Sequence, residues 1–451
     1  MARTKEDFTT GNISRMLIKF CGPFLLSNLL QALYGAADLA IVGQFCQTTS
    51  TAGVTIGSQI THVATMMVSG LTVGGTILVA QYFSARREKD ISETIGTMFT
   101  LLFILALIIT GLSIGFCDQI LNLLQTPANA MAEARSYTNI CMAGTILIFG
   151  YNAISAVQRG LGDSIHPLIF VGVACAVNII LDLVLVAGVG MGASGAAIAT
   201  VAAQGISFLL AAAYLRKSDF PFDFKPKSFK LVGNKVKNLV NLGLPSSVQA
   251  VVVNFSFLLM TAIVNGFNSE AATSAVGFVS KFNSFAILPT VAMSSSISAI
   301  AAQNITANEL GRAKETFVRG LQIALAISAV IFCISQFASE WVLRLFSPDA
   351  EVLEWGVPYL KMYSYEYLLV PFVFCMNGLI SASGHTMYSM LTAVASSIAL
   401  RMPAAILLSK FMGLAGVGLA APLATCCSIV MCAIFVGTGR WKNNKTGIQR
   451  S

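Results

Sequence analysis

Residues 98–116 read MFTLLFILALIITGLSIGF, an uncharged and mostly apolar run in which polar and apolar positions do not alternate. A transmembrane helix needs about 20 such residues, whereas a strand of a membrane barrel alternates with a period of two. A lipid bilayer offers the backbone no hydrogen-bond partners, so a continuous run of this length predicts a helix that crosses the membrane.

The rest of the chain has the same character. Of the 451 residues, 55% are hydrophobic and 11% are charged, and the mean hydropathy is +0.75. An ordinary soluble domain has about a quarter of charged residues, so the composition excludes a soluble globule, a disordered chain and a small disulfide scaffold. It predicts an all-α polytopic membrane protein. The ten cysteines show no metal-binding or redox spacing and are interpreted as packing residues.

Twelve apolar runs between Gly, Pro, Asn and charged clusters predict twelve transmembrane helices. The predicted spans are 17–43, 52–80, 94–116, 137–160, 165–187, 193–215, 239–266, 272–302, 316–338, 357–382, 386–410 and 414–437. The termini and the loops on their side hold 22 of the 28 Lys and Arg residues, which predicts that both termini are cytoplasmic. The net charge of +8 is therefore interpreted as membrane topology and not as nucleic-acid binding.

The sequence matches itself at an offset of 222 residues, which indicates a duplication. The coinciding pairs include Pro23 and Pro245, Gln81 and Gln303, Tyr137 and Tyr359, and Gly162 and Gly384. Each repeat holds six predicted spans, so the two halves would insert with the same orientation. This predicts two six-helix lobes around a central cavity, which is the architecture of a secondary transporter that alternates access by rocking.

The predicted domains are an N-lobe over 1–215, a basic cytoplasmic linker over 216–238 and a C-lobe over 239–451. The linker carries seven Lys and Arg residues. Basic segments next to a membrane attract anionic lipids, so membrane lipids are predicted partners of the chain.

Few ionisable residues fall inside the predicted spans. Asp38 and Asp182 each lie about five residues from the outer end of a span, and their repeat mates are uncharged. Thr200 shares their depth, and Asn178 lies one helical turn from Asp182 on the same face. A charge in the membrane is costly, so it marks function or is paired. The pattern predicts a cluster of carboxylates and neutral oxygens in the outer half of the N-lobe.

Such a cluster is typical of cation-coupled antiport. Its carboxyls can bind a proton and release it on the other side of the membrane, and an organic cation neutralises the same charge. The oxygens of Asp38, Asn178, Asp182 and Thr200 also suit Na⁺, so the sequence leaves the coupling ion open between H⁺ and Na⁺. The alternative is structural, with each Asp bonding the backbone of a discontinuous helix.

Three charges in the C-lobe also share a depth, namely Lys281, Glu366 and Arg401. One interpretation is an ion-paired cluster that locks the lobe, and the other is a group that faces the cavity and contacts cargo.

Aromatic and methionine side chains predict a surface for the cargo, because flat or adaptable apolar groups beside a carboxylate bind diverse organic cations. The predicted cavity residues are Tyr34, Met66, Phe149, Phe282, Phe285 and Met293, together with Glu366 and Arg401.

Five stretches, in order along the first half of the chain, resemble the MATE (multidrug and toxic compound extrusion) family, with an acidic pattern similar to its DinF-type branch. They are PFLLSNLLQALYGAADLAIVG from Pro23, GLTVGGTILVAQY from Gly70, NAISAVQRGLGD from Asn152, NIILD from Asn178 and GASGAAIATVAAQ from Gly192. The resemblance covers nearly the whole chain. It implies an efflux antiporter that exchanges cationic amphipathic compounds for H⁺ or Na⁺, without a cofactor and usually as a monomer.

The resemblance also implies a coupling site. The family's Asp, Asn, Asn, Asp and Thr map onto Asp38, Asn152, Asn178, Asp182 and Thr200. NorM-type members carry further acidic residues in spans seven and ten. In this chain span seven offers only Gln249 and Asn254, and Glu366 lies about a turn from the expected place, so a second site of that type is not predicted.

Two other functions compete with this interpretation. A flippase for lipid-linked precursors, from the same wider superfamily, would need a cavity rich in cationic groups, and only Lys281 and Arg401 could serve. An intramembrane enzyme would need a catalytic constellation, but His62, His166 and His385 are scattered and no HExxH or GxSxG motif is present. Short tails and the lack of a targeting signal predict a multi-pass protein of a bacterial cytoplasmic membrane.

Overall fold

The computed structural model describes residues 6–218 and 220–450, and the regular structure in these ranges is helical throughout. The α-helices of the first half are α1 (Ile13–Phe45), α2 (Thr48–Ser84), α3 (Glu88–Gly115), α4 (Cys117–Leu123), α5 (Met131–Ala143), α6 (Thr145–Gly160), α7 (Ile165–Asp182) and α8 (Gly192–Lys217). Those of the second half are α9 (Gly233–Asn265), α10 (Glu270–Ala286), α11 (Leu288–Thr306), α12 (Leu310–Phe337), α13 (Ser339–Arg344), α14 (Ala350–Tyr363), α15 (Tyr365–Ala382), α16 (Thr386–Val394) and α17 (Met402–Gly437). Two π-helical segments, Leu183–Gly188 and Ala395–Arg401, follow α7 and α16, and two short 3₁₀ turns are Pro226–Ser228 and Arg440–Lys442.

Within the described ranges, ten helical stretches are long and apolar enough to cross a membrane, and the α5–α6 pair, bent by 48°, makes an eleventh. One of the ten, Thr386–Gly437, has 52 residues and is broken inside α17. Gly413 has φ 58° and ψ −141° there, a conformation that only glycine adopts without strain. A Cβ on Gly416 would overlap the backbone of Leu408, so the chain reverses between them. Counting two spans in this stretch gives the predicted twelve.

The duplication is visible in the helix bounds. Adding 222 to the bounds of α2 gives those of the α10–α11 stretch, and adding 222 to the bounds of α3 gives those of α12. The turns after α6 and α15 also correspond, because Gly162 has φ 89° and its mate Gly384 has φ 83°. These segments of the two halves therefore have matching bounds at the offset of the repeat.

The contacts divide the chain into two compact units. Within the described residues, the first unit contains 6–7 and 26–247, and the second contains 8–25 together with 248–450. The predicted N-lobe and C-lobe differ from this division at two places. The start of α1 belongs to the second unit, and the start of α9 belongs to the first.

Close packing and polar contacts hold the start of α9 in the first unit. Gly243 lies so near α2 that a Cβ on it would approach the Cα of Leu71 to 2.6 Å. Ser247 donates a hydrogen bond of 2.6 Å from Oγ to the carbonyl oxygen of Met67. Lys235 is buried and pairs with Asp90 at 2.5 Å. Small residues let helix backbones approach closely in a membrane, where polar bonds then add stability.

Polar bonds to α11 and α12 hold the segment before α1 in the second unit. Phe8 is 1% exposed, and its backbone N–H donates to Oε1 of Gln303 at 3.0 Å. The Arg312 guanidinium donates to the carbonyl oxygen of Gly11 at 3.1 Å. These contacts connect residues about 300 positions apart, which hydropathy along the sequence does not detect.

Candidate functional site

The predicted polar cluster is present in the first unit and is buried. Asp38 comes from α1, Asn178 and Asp182 come from α7, and Thr200 comes from α8. Asn178 and Asp182 have no exposed surface, Asp38 is 5% exposed and Thr200 is 9% exposed. A span that is otherwise apolar thus carries each of these polar groups into the interior of the unit.

The four side chains are brought together in pairs. The carboxyl groups of Asp38 and Asp182 are direct neighbours. The Asn178 amide lies beside Asp182, and the Tyr34 hydroxyl lies beside Thr200 and close to both carboxyls. Residues that were predicted to lie at a similar depth in the membrane are therefore neighbours in the folded unit.

Most of the polar atoms of this cluster have no hydrogen-bond partner among the described residues. They are Oδ1 of Asp38, both carboxyl oxygens of Asp182, both amide atoms of Asn178 and the hydroxyl of Tyr34. A buried polar atom without a partner is costly, and two adjacent carboxylates repel each other in a medium of low dielectric. A proton shared between the carboxyls, or a small cation among the oxygens, would relieve both costs. The donor set of carboxylate, amide and hydroxyl oxygens fits a hard cation.

The local backbone at Asp182 is irregular. α7 ends at Asp182 and continues as the π-helical segment Leu183–Gly188. π-Helical turns are rare and occur frequently at functional sites. In the second unit the π-helical segment of the corresponding span ends at Arg401, so each unit has a buried charge at one end of such a segment. No simple pattern in the sequence indicated this feature.

Asn152 is placed differently from the other predicted coupling residues. It is half-buried on α6, and its Nδ2 donates to the carbonyl oxygen of Ile148 on the same helix at 2.8 Å. No described contact joins it to the two carboxyls. A coupling role for Asn152 remains a prediction.

Tyr137 and Cys141 on α5 were not predicted as site residues, yet they pack beside the cluster. Tyr137 is 3% exposed, Cys141 is fully buried, and both are near enough to Asp38 to sense its charge. The duplication could have indicated that Tyr137 lies near the cluster, since Tyr359 occupies the equivalent position in the second repeat. In the second unit Tyr359 is buried next to Arg401, so the duplicated tyrosine lies beside the buried charge in both units.

The charged residues of the second unit form a smaller cluster than predicted. Glu366 is 5% exposed and accepts a hydrogen bond of 2.8 Å from the Thr425 hydroxyl at Oε1. Arg401 is 6% exposed, lies 4.8 Å above the ring of Phe257, and interacts with Glu366 through its charge. The described residues contain no ion pair within 4.0 Å between Glu366 and Arg401. Lys281 is exposed, and in the described part of the chain no ion pair within 4.0 Å joins it to Glu366. This corrects the predicted ion-paired cluster of three, because equal depth on different helices does not imply the same face.

The predicted cargo surface is only partly available. Phe285 is 40% exposed and Met66 is half-buried, whereas Phe282 packs edge-on against Tyr367 with ring centroids 6.1 Å apart. Phe149 and Met293 are 1% and 2% exposed. These last two side chains are packed inside their units and present almost no surface to a ligand.

A family model decides the relationship to known proteins: the MatE model matches residues 23–184 and 245–407. The chain belongs to the MATE family. The two matched ranges are offset by 222 residues at their starts, as the duplication requires. Members of this family are transporters and not enzymes, which agrees with the sequence analysis.

Curated relatives match over nearly their whole length. The probable multidrug resistance protein YpnP of Bacillus subtilis is 29% identical over 97% of this chain and 98% of its own. The probable multidrug resistance protein NorM of Thermotoga maritima is 23% identical over 95% of this chain and 93% of its own.

Solved structures confirm the fold of this MATE protein. A multidrug resistance MATE family transporter of the MOP superfamily, solved in an outward-facing conformation, superposes with a TM-score of 0.89 at 19% identity and covers 96% of this chain and 97% of its own. A MOP superfamily transporter from Pyrococcus furiosus gives a TM-score of 0.89 at 18% identity and covers 96% of this chain and 98% of its own. The predicted all-α fold of twelve transmembrane helices in two lobes is confirmed.

Proposed function

We propose that this MATE protein is a secondary active multidrug exporter that exchanges cationic amphipathic compounds for H⁺ or Na⁺ by alternating access. The single observation that carries the coupling is the buried pair of carboxyl groups, Asp38 and Asp182, three of whose four oxygens lack hydrogen-bond partners among the described residues. The relatives named as multidrug resistance proteins support the class of cargo.

The mechanism follows from charge balance at this pair. Two adjacent carboxylates in a buried site need a positive charge. When the site opens to the side where the coupling ion is plentiful, a proton or Na⁺ neutralises the pair, and when it opens to the other side the ion leaves. Cargo that carries a positive charge then competes with the ion, directly or through the conformation of the lobes. Asn178, Thr200 and Tyr34 supply the neutral oxygens that hold a dehydrated cation.

The test is ethidium transport into proteoliposomes under an imposed pH gradient and then under a Na⁺ gradient. Wild type, Asp38→Asn and Asp182→Asn are compared with Asp118→Asn, a matched control at an ion pair that is 51% exposed. We expect one of the gradients to drive transport in wild type and in the control, and both site variants to lose it.

Two outcomes would oppose the proposal. Gradient-driven transport that survives in both site variants would exclude the pair as the coupling site. No gradient-driven transport in wild type would exclude ethidium as cargo and favour either the flippase for lipid-linked precursors, to be tested with such lipids, or a narrow, unrelated substrate.

We also propose a bacterial cytoplasmic membrane as the location, with both termini in the cytoplasm. The side assigned by 22 of the 28 basic residues supports this orientation. Reporter fusions at the C-terminus and after position 45 should give opposite activities, and equal activities would exclude the orientation.

A further inference from the structure

An apolar groove lies on the exposed surface of the first unit, between α3, α6, α8 and the end of the linker. The groove consists of two adjoining cavities of about 420 and 470 Å³. Both cavities are lined by Phe99, Phe208 and Phe229. Along α8 the lining extends from Phe208 to Arg216, which is about 12 Å of helix. The groove is therefore elongated, with aromatic walls over most of its length and a guanidinium at one end.

The linker forms a fixed wall of this groove. The Thr97 hydroxyl donates to the carbonyl oxygen of Lys230 at 3.2 Å and accepts from the backbone N–H of Val232 at 3.3 Å. A Cβ on Gly96 would overlap the carbonyl oxygen of Ser228, so the linker backbone lies directly on α3. Phe99 also stacks with Phe222 at 6.2 Å and meets Phe229 edge-on at 6.0 Å. These contacts hold the linker against α3, so this wall of the groove is part of the folded unit.

Among the described lining residues, the end of the groove carries a basic side chain, Arg216. Arg216 is exposed and its guanidinium lies 5.7 Å from the ring of Phe224. Lys217 and Lys230 are exposed nearby in the sequence. The carboxyl of Asp223 is engaged by Lys225 at 3.4 Å and by the Ser228 hydroxyl at 2.5 Å. Among residues that the structure describes, Arg216 has no ion pair within 4.0 Å.

We propose that this groove binds an anionic phospholipid, with an acyl chain along the phenylalanines and the phosphate at Arg216. Because lining residues such as Phe103, Leu209 and Phe229 are 39–63% exposed on a membrane-spanning unit, lipid can reach the groove. An apolar trough that ends in a cationic rim at one end of a span complements a lipid with a negative headgroup, and basic residues at that level attract such lipids. A cationic drug would meet repulsion from Arg216, so the groove is not a cargo site. The proposal does not depend on the transport activity.

Native mass spectrometry of the purified full chain in detergent tests the proposal, with phosphatidylglycerol, phosphatidylcholine and soluble glycerol 3-phosphate as probes. We expect wild type to retain phosphatidylglycerol preferentially. Arg216→Gln should lower that retention about fivefold, and Lys314→Gln, which removes an exposed charge on α12, should not. Ala213→Phe, at an exposed lining residue, should fill the groove and lower retention of both lipids, whereas Ala326→Phe, at an exposed residue of α12, should not.

Three results would overturn the proposal. They are equal retention of the two lipids by wild type, unchanged retention in Arg216→Gln, and displacement of phosphatidylglycerol by an equal concentration of glycerol 3-phosphate, which would indicate a site for the anion alone. Thermal unfolding of each variant shows whether it is folded. If Ala213→Phe does not fold, Ala213→Leu replaces it in the same comparison.

Discussion

The carboxyl groups of Asp38 and Asp182 are direct neighbours in the first unit, although the residues lie on different helices, α1 and α7. Neither residue has an acidic counterpart in the second repeat. The second unit instead carries one buried acid, Glu366, within reach of the charge of one buried base, Arg401. The two repeats thus share their helices but differ in the charges that they bury.

The pair should behave as one site. Asp38→Asn and Asp182→Asn are each expected to reduce gradient-driven ethidium transport at least about tenfold, and the double variant to be no worse than either single one, because residues that act on one ion are not independent. Initial rates in proteoliposomes measure this. Losses that multiply in the double variant would show that the two carboxyls act on separate steps.

The buried charges of the second unit should depend on each other for stability. Arg401→Gln is expected to lower the free energy of unfolding by about 3 kcal/mol, because it leaves the buried Glu366 without its counter-charge. Removing the hydroxyl donor in Thr425→Val should cost about 1–2 kcal/mol. The double variant with Glu366→Gln and Arg401→Gln should recover much of the loss in thermal unfolding.

The exposed pair of Arg344 and Glu340 provides the control for this prediction. Its side chains are about 60% exposed and 2.7 Å apart, so Arg344→Gln should change stability by less than about 1 kcal/mol. If Arg401→Gln and the double variant lose the same stability, the two charges do not compensate each other.

Two glycines should respond to alanine in opposite directions. A Cβ on Gly70 would overlap the backbone of Ser247, whereas a Cβ on Gly111 meets nothing within 4 Å. Gly70→Ala should therefore destabilise the chain by about 2 kcal/mol. Gly111→Ala should stabilise it by up to about 1 kcal/mol, because alanine favours the helix. Thermal unfolding in detergent compares them, and equal effects would contradict the close approach of α2 and α9.

His385 should give the stability a weak dependence on pH. It lies in the turn after α15, outside the spans, where burial and then the charge of Lys445 lower its pKa. The unfolded chain takes up the proton first as the pH falls, so stability is complete above the ordinary histidine value of about 6.5 and declines below it. Between pH 7 and 5 the Tm of wild type should fall by about 2 °C more than that of His385→Gln.

The opposite result is also informative. A larger fall in the variant would mean that protonated His385 is stabilised, and the turn would then hold a partner for the imidazolium. The Ser383 hydroxyl, 3.0 Å from Nδ1 of His385, is the described neighbour that could change its role with protonation.

Most of the fold could be predicted because the length of each apolar segment depends only on consecutive residues. A span such as 98–116 needs only its own residues to satisfy the backbone in a bilayer, and the repeat offset follows from comparison of the chain with itself. The depth of Asp38 and Asp182 was predictable for the same reason, since depth is counted along one helix. Faces and neighbours are not local, which is why Lys281 matched Glu366 in depth although Lys281 is exposed and Glu366 is buried.

The sequence by itself determined the membrane class, the twelve helices and the duplication, because each depends on composition and spacing along the chain, and its motifs resemble those of one family. Only the tertiary structure decided that the starts of α1 and α9 belong to opposite units, that Tyr137 lies beside Asp38, and that the linker completes an apolar groove ending at Arg216. These features come from close packing at Gly243 and Gly96 and from hydrogen bonds between distant segments. The free energy of these contacts depends on which segments are close in three dimensions, and this cannot be read from the order of residues along the chain.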